Sequence, residues 1–348
     1  MKKVIIILDG VSDIGAKTSL ALSKHPNLDF FAKNSLIGLM YPVKGLATES
    51  GLSQFMILGY PKKLYPGRGV LEALGVNLKI NPKNTYLRCN FMYIKNRTIE
   101  KRAKIPDKKI IRKLNQIDKD IKIIPTIDYR GIMIIKNSSP NITATHPGYI
   151  EKAHISKAIS STKEKQVKGD KKTAQKINNF IKKAKQILKD KTIVIRGASN
   201  SLPKVKKLKN WSMIADMPIE IGLGKLFRMK ILSRKNEIKQ VIDTKTNIYV
   251  QIKGPDIYGH LGDLKKKISS IEKIDKMLAP LKKLKNTLIC ITSDHSTPYQ
   301  LKRHSKDPVP ILIYPGKGNI KRFTEQECKK TGFKIEGKDL MKFLNSLT

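Results

Sequence analysis

Three apolar runs, far apart in this chain, each stop at side chains able to ligate a hard divalent cation. Val4 to Leu8 ends at Asp9. Ile248 to Lys253 is followed by Asp256 and, four residues later, by His260. Thr287 to Thr292 leads into Asp294 and His295, and His304 follows nine residues after His295. Short runs rich in Ile and Val read as buried parallel strands. Open α/β sheets hold their ligands beyond the carboxyl ends of such strands. The pattern restricts the chain to folds in which its two ends share one sheet and one site. Three such segments point to a single centre with two metal ions, a standard apparatus for phosphoryl transfer. Carboxylate and imidazole donors suit Mn²⁺, Zn²⁺ or Co²⁺ better than a pure Mg²⁺ site.

Between these segments strand-like and helix-like stretches alternate. Leu87 to Ile94, Ile132 to Ile135, Thr192 to Arg196 and Pro310 to Tyr314 read as strands. Ala16 to Asn34 has helical spacing interrupted at Pro26, and Leu46 to Tyr60 is a loop entering a helix. Thr173 to Lys189 places Ile177, Phe180, Ile181, Ala184, Ile187 and Leu188 on one helical face. Leu264 to Leu284 reads as a helix that Asp263 caps. Alternation of this kind predicts an α/β fold with a largely parallel sheet flanked by helices. At 348 residues two domains are expected. The middle of the chain carries no metal pattern, so the simplest division is a discontinuous core, 1–80 with 195–348, and an inserted smaller α/β domain over 81–194. An inserted domain of that kind would cover the site and exclude water. The basic, polar stretch from Glu151 to Lys171 reads as a mobile loop.

Charge and cysteine usage narrow the function classes. The formal net charge is +42, which raises RNA or another polyanion as a partner. The lysines are scattered over helical faces without an Arg-rich block and with few aromatics, so the reading is solvated charge, with nucleic-acid binding unlikely. A milder consequence is faster capture of small anions. Cys89, Cys290 and Cys328 form no spaced pair, which predicts a reducing, cytoplasmic setting. The apolar run behind Met1 is too short for a signal-peptide core or a membrane span.

Glu49-Ser50-Gly51 opens a helix that runs to Leu58. A hydroxyl there either caps the helix or, beside free N–H groups and metal ligands, serves as a nucleophile toward phosphate. Asp263 and Asp275 read as surface or capping groups. Lone histidines such as His25 and His154 read as core-edge or surface residues.

Taken together, these segments resemble the archaeal-type cofactor-independent phosphoglycerate mutases of the alkaline phosphatase superfamily. The likeness runs almost end to end. It covers Ile7-Leu8-Asp9-Gly10, Lys24 to Asp29, Glu49-Ser50-Gly51 through Leu58-Gly59-Tyr60, and Gly67-Arg68-Gly69 with Glu72-Ala73. It continues through Arg88-Cys89-Asn90, Tyr129-Arg130, Arg196-Gly197-Ala198, Asp256 to His260, Asp294 to Pro298, and His304 to Pro310. The order of the ligand candidates is specific for the superfamily; Gly67-Arg68-Gly69 and Arg88-Cys89-Asn90 narrow it to the mutase branch. The resemblance implies an alkaline-phosphatase-like core with an inserted lid domain. It also implies interconversion of 3- and 2-phosphoglycerate through a phosphoserine at Ser50, two divalent cations (Mn, Zn, Co or Mg) and no 2,3-bisphosphoglycerate. One metal would be held by Asp256, His260 and His304, the other by Asp9, Asp294 and His295, with Ser50 as its ligand or bridging towards the first. Arg88, Asn90, Arg130 and Arg196 would bind substrate.

Two departures from the family pattern stand out. Thr145-His146-Pro147-Gly148 replaces an Asp-Pro-His segment, which leaves His146 as a shifted acid/base candidate or a surface residue. Ser199 replaces the last glycine of Arg-Gly-Ala-Gly. Two rival functions stay open at this point: a phosphomonoesterase or phosphotransferase of the same superfamily, and an inactive polyanion-binding protein.

Overall fold

The structure is a computed structural model that describes residues 1–152, 155–159, 161–318 and 320–347. His154 lies outside the described residues. The chain divides into two compact units, residues 1–63, 206–216 and 227–348 in the first and residues 64–205 and 217–226 in the second. The sequence pattern puts the division near 80 and 195; the packing puts it at 63 and 206. The helix Arg68–Gly75 accounts for part of the difference, because it packs on the strands Thr85–Lys95 and Lys191–Ser199 and on the helix Pro218–Leu226.

The first unit is built on an eight-stranded sheet. Its order is Lys230–Leu232, Trp211–Ile214, Asn247–Ile252, Lys2–Leu8, Thr287–Thr292, Val309–Tyr314, Leu36–Tyr41 and Lys334–Glu336. The first five strands run parallel, with Leu8 opposite Ile252 and Ile7 opposite Thr292. Only Val309–Tyr314 runs against its two neighbours. The central strand is apolar on both faces because both are covered. Val4, Ile6 and Leu8 form one cluster with Leu28, Phe31, Ile271, Ile274 and Leu278 from the helices Pro26–Lys33 and Leu264–Leu278. This register brings Asp9, Asp256 and Asp294 to the same carboxyl edge.

The helix that starts at Leu264 is capped by Asp263, whose Oδ1 accepts from the Lys266 N–H at 3.0 Å. It ends at Leu278, and a 3₁₀ turn, Ala279–Lys283, replaces the remainder expected from periodicity. Pro280 has no N–H to continue the ladder. Asp275 is buried rather than at the surface. Its Oδ1 accepts from the Asn27 and Leu28 N–H groups at 2.9 and 2.7 Å, and its Oδ2 from Asn27 Nδ2 at 2.7 Å. It therefore caps a neighbouring helix across the core. His25 is buried too, with Nδ1 on Ser23 Oγ at 2.8 Å and Nε2 on Asp29 at 3.0 Å.

The second unit holds a five-stranded sheet that is antiparallel throughout, with the long strand Thr85–Lys95 paired to Thr98–Arg102, Arg130–Ile135 and Lys191–Ser199. The helix Lys171–Leu188, capped by Asp170, covers this sheet with Ile177, Phe180, Ile181, Ala184 and Leu188. Part of the stretch expected to be a mobile loop forms a two-stranded hairpin, Tyr149–Lys152 with Ile155–Ala158. Ladder bonds between polar strands leave little hydrophobic alternation to read. All three cysteines are free and buried, and no described helix is long and apolar enough to cross a membrane.

Asp275→Ala removes three hydrogen bonds at a helix start and should cost about 1–3 kcal/mol of stability. The check is urea unfolding followed by far-UV circular dichroism.

Candidate functional site

Seven side chains singled out from the sequence converge at the carboxyl edge of the first unit's sheet: Asp9, Ser50, Asp256, His260, Asp294, His295 and His304. Asp9 follows its strand directly, and its backbone carbonyl accepts from the Asp256 N–H at 3.0 Å. Gly10 then turns the chain with φ +60°. A Cβ there would lie 2.6 Å from Thr297 Oγ1 and 2.8 Å from Asp256 Oδ1, so the close approach of these segments requires glycine. Ser50 is the first residue of the helix Ser50–Ile57, and Glu49 holds the N-cap position. Two groups of ligand atoms result, Asp256, His295 and His304 in one and Asp9, Asp294 and His295 in the other. Within each group the atoms lie within 4.8 Å of one another.

Hydrogen bonds define which nitrogen each imidazole presents. His304 Nδ1 donates to the Thr48 carbonyl at 2.6 Å and His260 Nδ1 to the Lys302 carbonyl at 3.1 Å. A carbonyl can only accept, so both Nδ1 atoms carry the proton. The two Nε2 atoms then face each other at 3.2 Å, each 3.5 Å from Asp256 Oδ1. For His295, Thr297 Oγ1 donates to Asp256 Oδ1 at 2.7 Å and so accepts from His295 Nδ1 at 3.0 Å. Its Nε2 is left beside Ser50 Oγ at 3.1 Å, Asp9 Oδ1 at 3.3 Å and Asp294 Oδ2 at 3.5 Å. This division sorts His260 with Asp256 and His304, and His295 with Asp9, Asp294 and Ser50.

Such an arrangement has too many lone pairs. Asp9 Oδ1 and Asp294 Oδ1 are buried without a hydrogen-bond partner among the described residues. Burial, reinforced by Asp9, pushes the Asp294 carboxyl well above its ordinary range against the pull of Lys253 and Gln54. Burial lowers the His295 pKa and favours the neutral ring. Nearby, Lys253 donates to Asp9 Oδ2 at 2.6 Å, and Gln54 and Gln251 donate to Asp294 Oδ2 at 3.1 and 3.4 Å. Oriented imidazoles backed by fixed acceptors and orphaned carboxylate oxygens fit divalent cations.

Arg88, Asn90, Arg130 and Arg196 all lie in the second unit, where Arg68 and Glu72 join them. Arg68 Nε donates to Glu72 Oε1 at 2.6 Å, Arg88 Nη1 donates to the same oxygen, and Arg88 Nε donates to Asn90 Oδ1 at 2.8 Å. Arg196 lies 4.0 Å from the centre of the Tyr149 ring, and the Gly197 N–H donates to Glu151, both on the hairpin. Arg130 stacks on Tyr129 at 4.4 Å and pairs with Asp128. Burial lowers the Arg88 pKa to about 10, and Arg68, Arg196 and Arg130 add to the effect against Glu72. Burial together with Arg196 and Arg88 lowers His146 to about 3. This imidazole accepts from the Gly148 N–H through Nδ1 at 3.3 Å. Three of these guanidinium groups, those of Arg68, Arg88 and Arg196, thus surround the Glu72 carboxylate. Ser199 also has a use here: its Oγ accepts from the Val70 N–H at 2.9 Å and ties the helix Arg68–Gly75 to its strand.

Sequence reasoning passed over Lys253, Gln54, Gln251, Arg68, Glu72 and Thr297 as partners. The i,i+4 pairing of Arg68 with Glu72 was the one readable local signal.

Residues 32–193 match the family of 2,3-bisphosphoglycerate-independent phosphoglycerate mutases. A probable 2,3-bisphosphoglycerate-independent phosphoglycerate mutase from Thermosipho africanus is 33% identical, over 94% of this chain and 89% of that protein. One from Archaeoglobus fulgidus is 29% identical over 98% and 96%. Among solved structures, a Pyrococcus horikoshii protein has a TM-score of 0.78 at 23% identity, covering 99% of this chain and 97% of its own. A cofactor-independent phosphoglycerate mutase from Thermoplasma acidophilum has a TM-score of 0.60 at 22% identity, covering 99% and 98%. These structures share the fold.

His304→Ala should drain one cation position and His295→Ala the other, each with about 10-fold or greater loss of Mn²⁺ affinity at the position affected. Elemental analysis and chelator competition on the purified variants read this directly. Unchanged metal content in both would refute the grouping.

Proposed function

The chain belongs to the 2,3-bisphosphoglycerate-independent phosphoglycerate mutases, and from that premise we propose that it interconverts 3-phosphoglycerate and 2-phosphoglycerate through a phosphoserine at Ser50. The observation that carries this reading is the position of Ser50 Oγ, 3.1 Å from His295 Nε2 and at the N-terminus of a helix whose first N–H groups are open to an anion. In the proposed reaction Ser50 Oγ gives up its proton and bonds to phosphorus as the substrate's phosphoester bond breaks, and the freed glycerate oxygen takes up a proton. The other glycerate hydroxyl then gives up its proton and attacks the phosphoserine, the bond from Ser50 Oγ to phosphorus breaks, and Ser50 Oγ regains a proton.

Asp256, His260 and His304 would hold one divalent cation, and Asp9, Asp294 and His295 the other, with Ser50 beside it. Bound there, such cations neutralise phosphoryl charge and make a serine hydroxyl more acidic. The remaining work falls to the chain. Lys253 and the helix N-terminus add positive charge for the phosphoryl oxygens. Arg88, Arg130 and Arg196 hold carboxylate or phosphate through forked donors, and Asn90 positions a hydroxyl. His146 starts neutral, and an arriving anion would raise its pKa toward the range useful for proton transfer. A phosphoserine that meets water before glycerate is hydrolysed, so retention of glycerate by these arginines separates a mutase from a phosphatase.

Incubation with 3-phosphoglycerate and Mn²⁺, followed by phosphorus NMR, tests the reading: 2-phosphoglycerate supports it, and free phosphate alone makes the protein a phosphomonoesterase. Ser50→Ala should lower turnover by about 10³-fold or more with metal content retained, and mass spectrometry of quenched wild-type protein should find phosphate on Ser50. Arg88→Ala and Arg130→Ala should lose mutase turnover while Ser50 is still phosphorylated, and should release a larger fraction of inorganic phosphate. Loss of Ser50 phosphorylation in both would place these arginines in the phosphoryl-transfer step itself.

A further inference from the structure

The Thr297 hydroxyl bridges the two ligand groups. It accepts from His295 Nδ1 at 3.0 Å and donates to Asp256 Oδ1 at 2.7 Å. Those residues fall in different groups once the imidazole nitrogens are assigned. The residue is fully buried and fixed on every side. Its N–H donates to the Ser12 carbonyl at 3.2 Å. Its carbonyl accepts from Lys267 Nζ at 2.9 Å, and that buried ammonium also binds Asp13 Oδ1 at 2.7 Å. Asp13 in turn accepts from Lys267, the Tyr299 N–H and the Ser19 N–H and hydroxyl, so its two oxygens have no freedom left. Two glycines clear the space around the threonine. A Cβ on Gly10 would lie 2.6 Å from Thr297 Oγ1, and one on Gly259 would lie 2.3 Å from the Thr297 carbonyl oxygen.

We propose that Thr297 is a positioning residue that couples the two cation positions. One hydroxyl sets the tautomer of His295 and the orientation of Asp256 together, because its single proton goes to Asp256 and leaves only lone pairs for His295 Nδ1–H. With His295 Nε2 engaged by a cation, its Nδ1–H would donate more strongly to Thr297. The polarised hydroxyl then binds Asp256 Oδ1 more firmly and holds it for the other cation. Lys267 keeps the bridge in place before any cation arrives, by tying the loop after the first strand to the loop after Thr287–Thr292. The inference rests on the ligand assignment above, and its test is independent of turnover.

The test titrates Mn²⁺ into metal-free wild-type, Thr297→Val and Thr297→Ser proteins, by chelator competition and electron spin resonance. Valine keeps the shape and removes the hydroxyl; serine restores it. The expected result for Thr297→Val is about 10- to 100-fold weaker Mn²⁺ binding and loss of the cooperativity between the two cations, with a wild-type circular dichroism spectrum. Thr297→Ser should recover most of both. In turnover of 3-phosphoglycerate, Thr297→Val should lower kcat and leave KM nearly unchanged. If Thr297→Val does not fold, Thr297→Ala removes the same hydroxyl without adding bulk, and the same loss is expected. Wild-type Mn²⁺ affinity in a folded variant lacking the hydroxyl overturns the proposal, as does a serine variant no better than valine. A wild-type protein that binds Mn²⁺ but leaves 3-phosphoglycerate unchanged would defeat the mutase reading and leave this test intact.

Discussion

Three imidazole lone pairs and the oxygens of three carboxylates meet at the carboxyl end of the parallel strands of one sheet, and this concentration of electron pairs is what the first unit is organised around. An unpaired carboxylate in low dielectric is costly, and here Asp9 and Asp294 are both buried with Lys253 as the nearby cation. The free energy has to come from elsewhere in the fold. The central strands supply it by burying Val4, Ile6, Leu8, Val250 and Ile291 under helices on one face. Parallel pairing holds the strand ends at a common edge, so the polar residues cannot relax apart without breaking the ladder. The site is rigid because its frame is apolar and fixed.

The second unit presents the opposite problem. Arg68, Arg88 and Arg196 gather their positive charge around the buried carboxylate of Glu72. An antiparallel sheet suits this task, since alternate residues of Thr85–Lys95 and Lys191–Ser199 point to one face. Arg88 and Arg196 are paired across the ladder. One unit thus collects electron pairs and the other collects positive charge.

Much of this was legible in the sequence for local reasons. Asp9, Asp256 and Asp294 end apolar runs, and an apolar run that stops abruptly at a charge marks a strand end whatever its partners. Ser50 was visible as a helix start, and Asp263 as a cap. The residues that escaped notice act across long separations. Thr297 and Lys267 look like an ordinary turn residue and one more lysine among many; only the fold brings them to Asp256 and Asp13. The hairpin at Tyr149 was unreadable because backbone pairing between polar strands leaves no periodic apolar face. Arg196 could be named from its motif, but its stacking on Tyr149 depends on that hairpin.

Two of the three imidazole anchors are main-chain carbonyls, those of Thr48 and Lys302. A carbonyl is the same whichever side chain its residue bears. The orientation of His260 and His304 therefore depends on the backbone path at positions 48 and 302, which at Lys302 has φ +54°, rather than on the functional groups of the side chains there. Genetic drift can rewrite those codons so long as the local backbone path survives. The chain carries 70 lysines and arginines against 28 acidic residues, and Lys302 itself belongs to that excess. Anchoring through the backbone lets charged side chains stand in the immediate surroundings of these histidines without entering their hydrogen bonds.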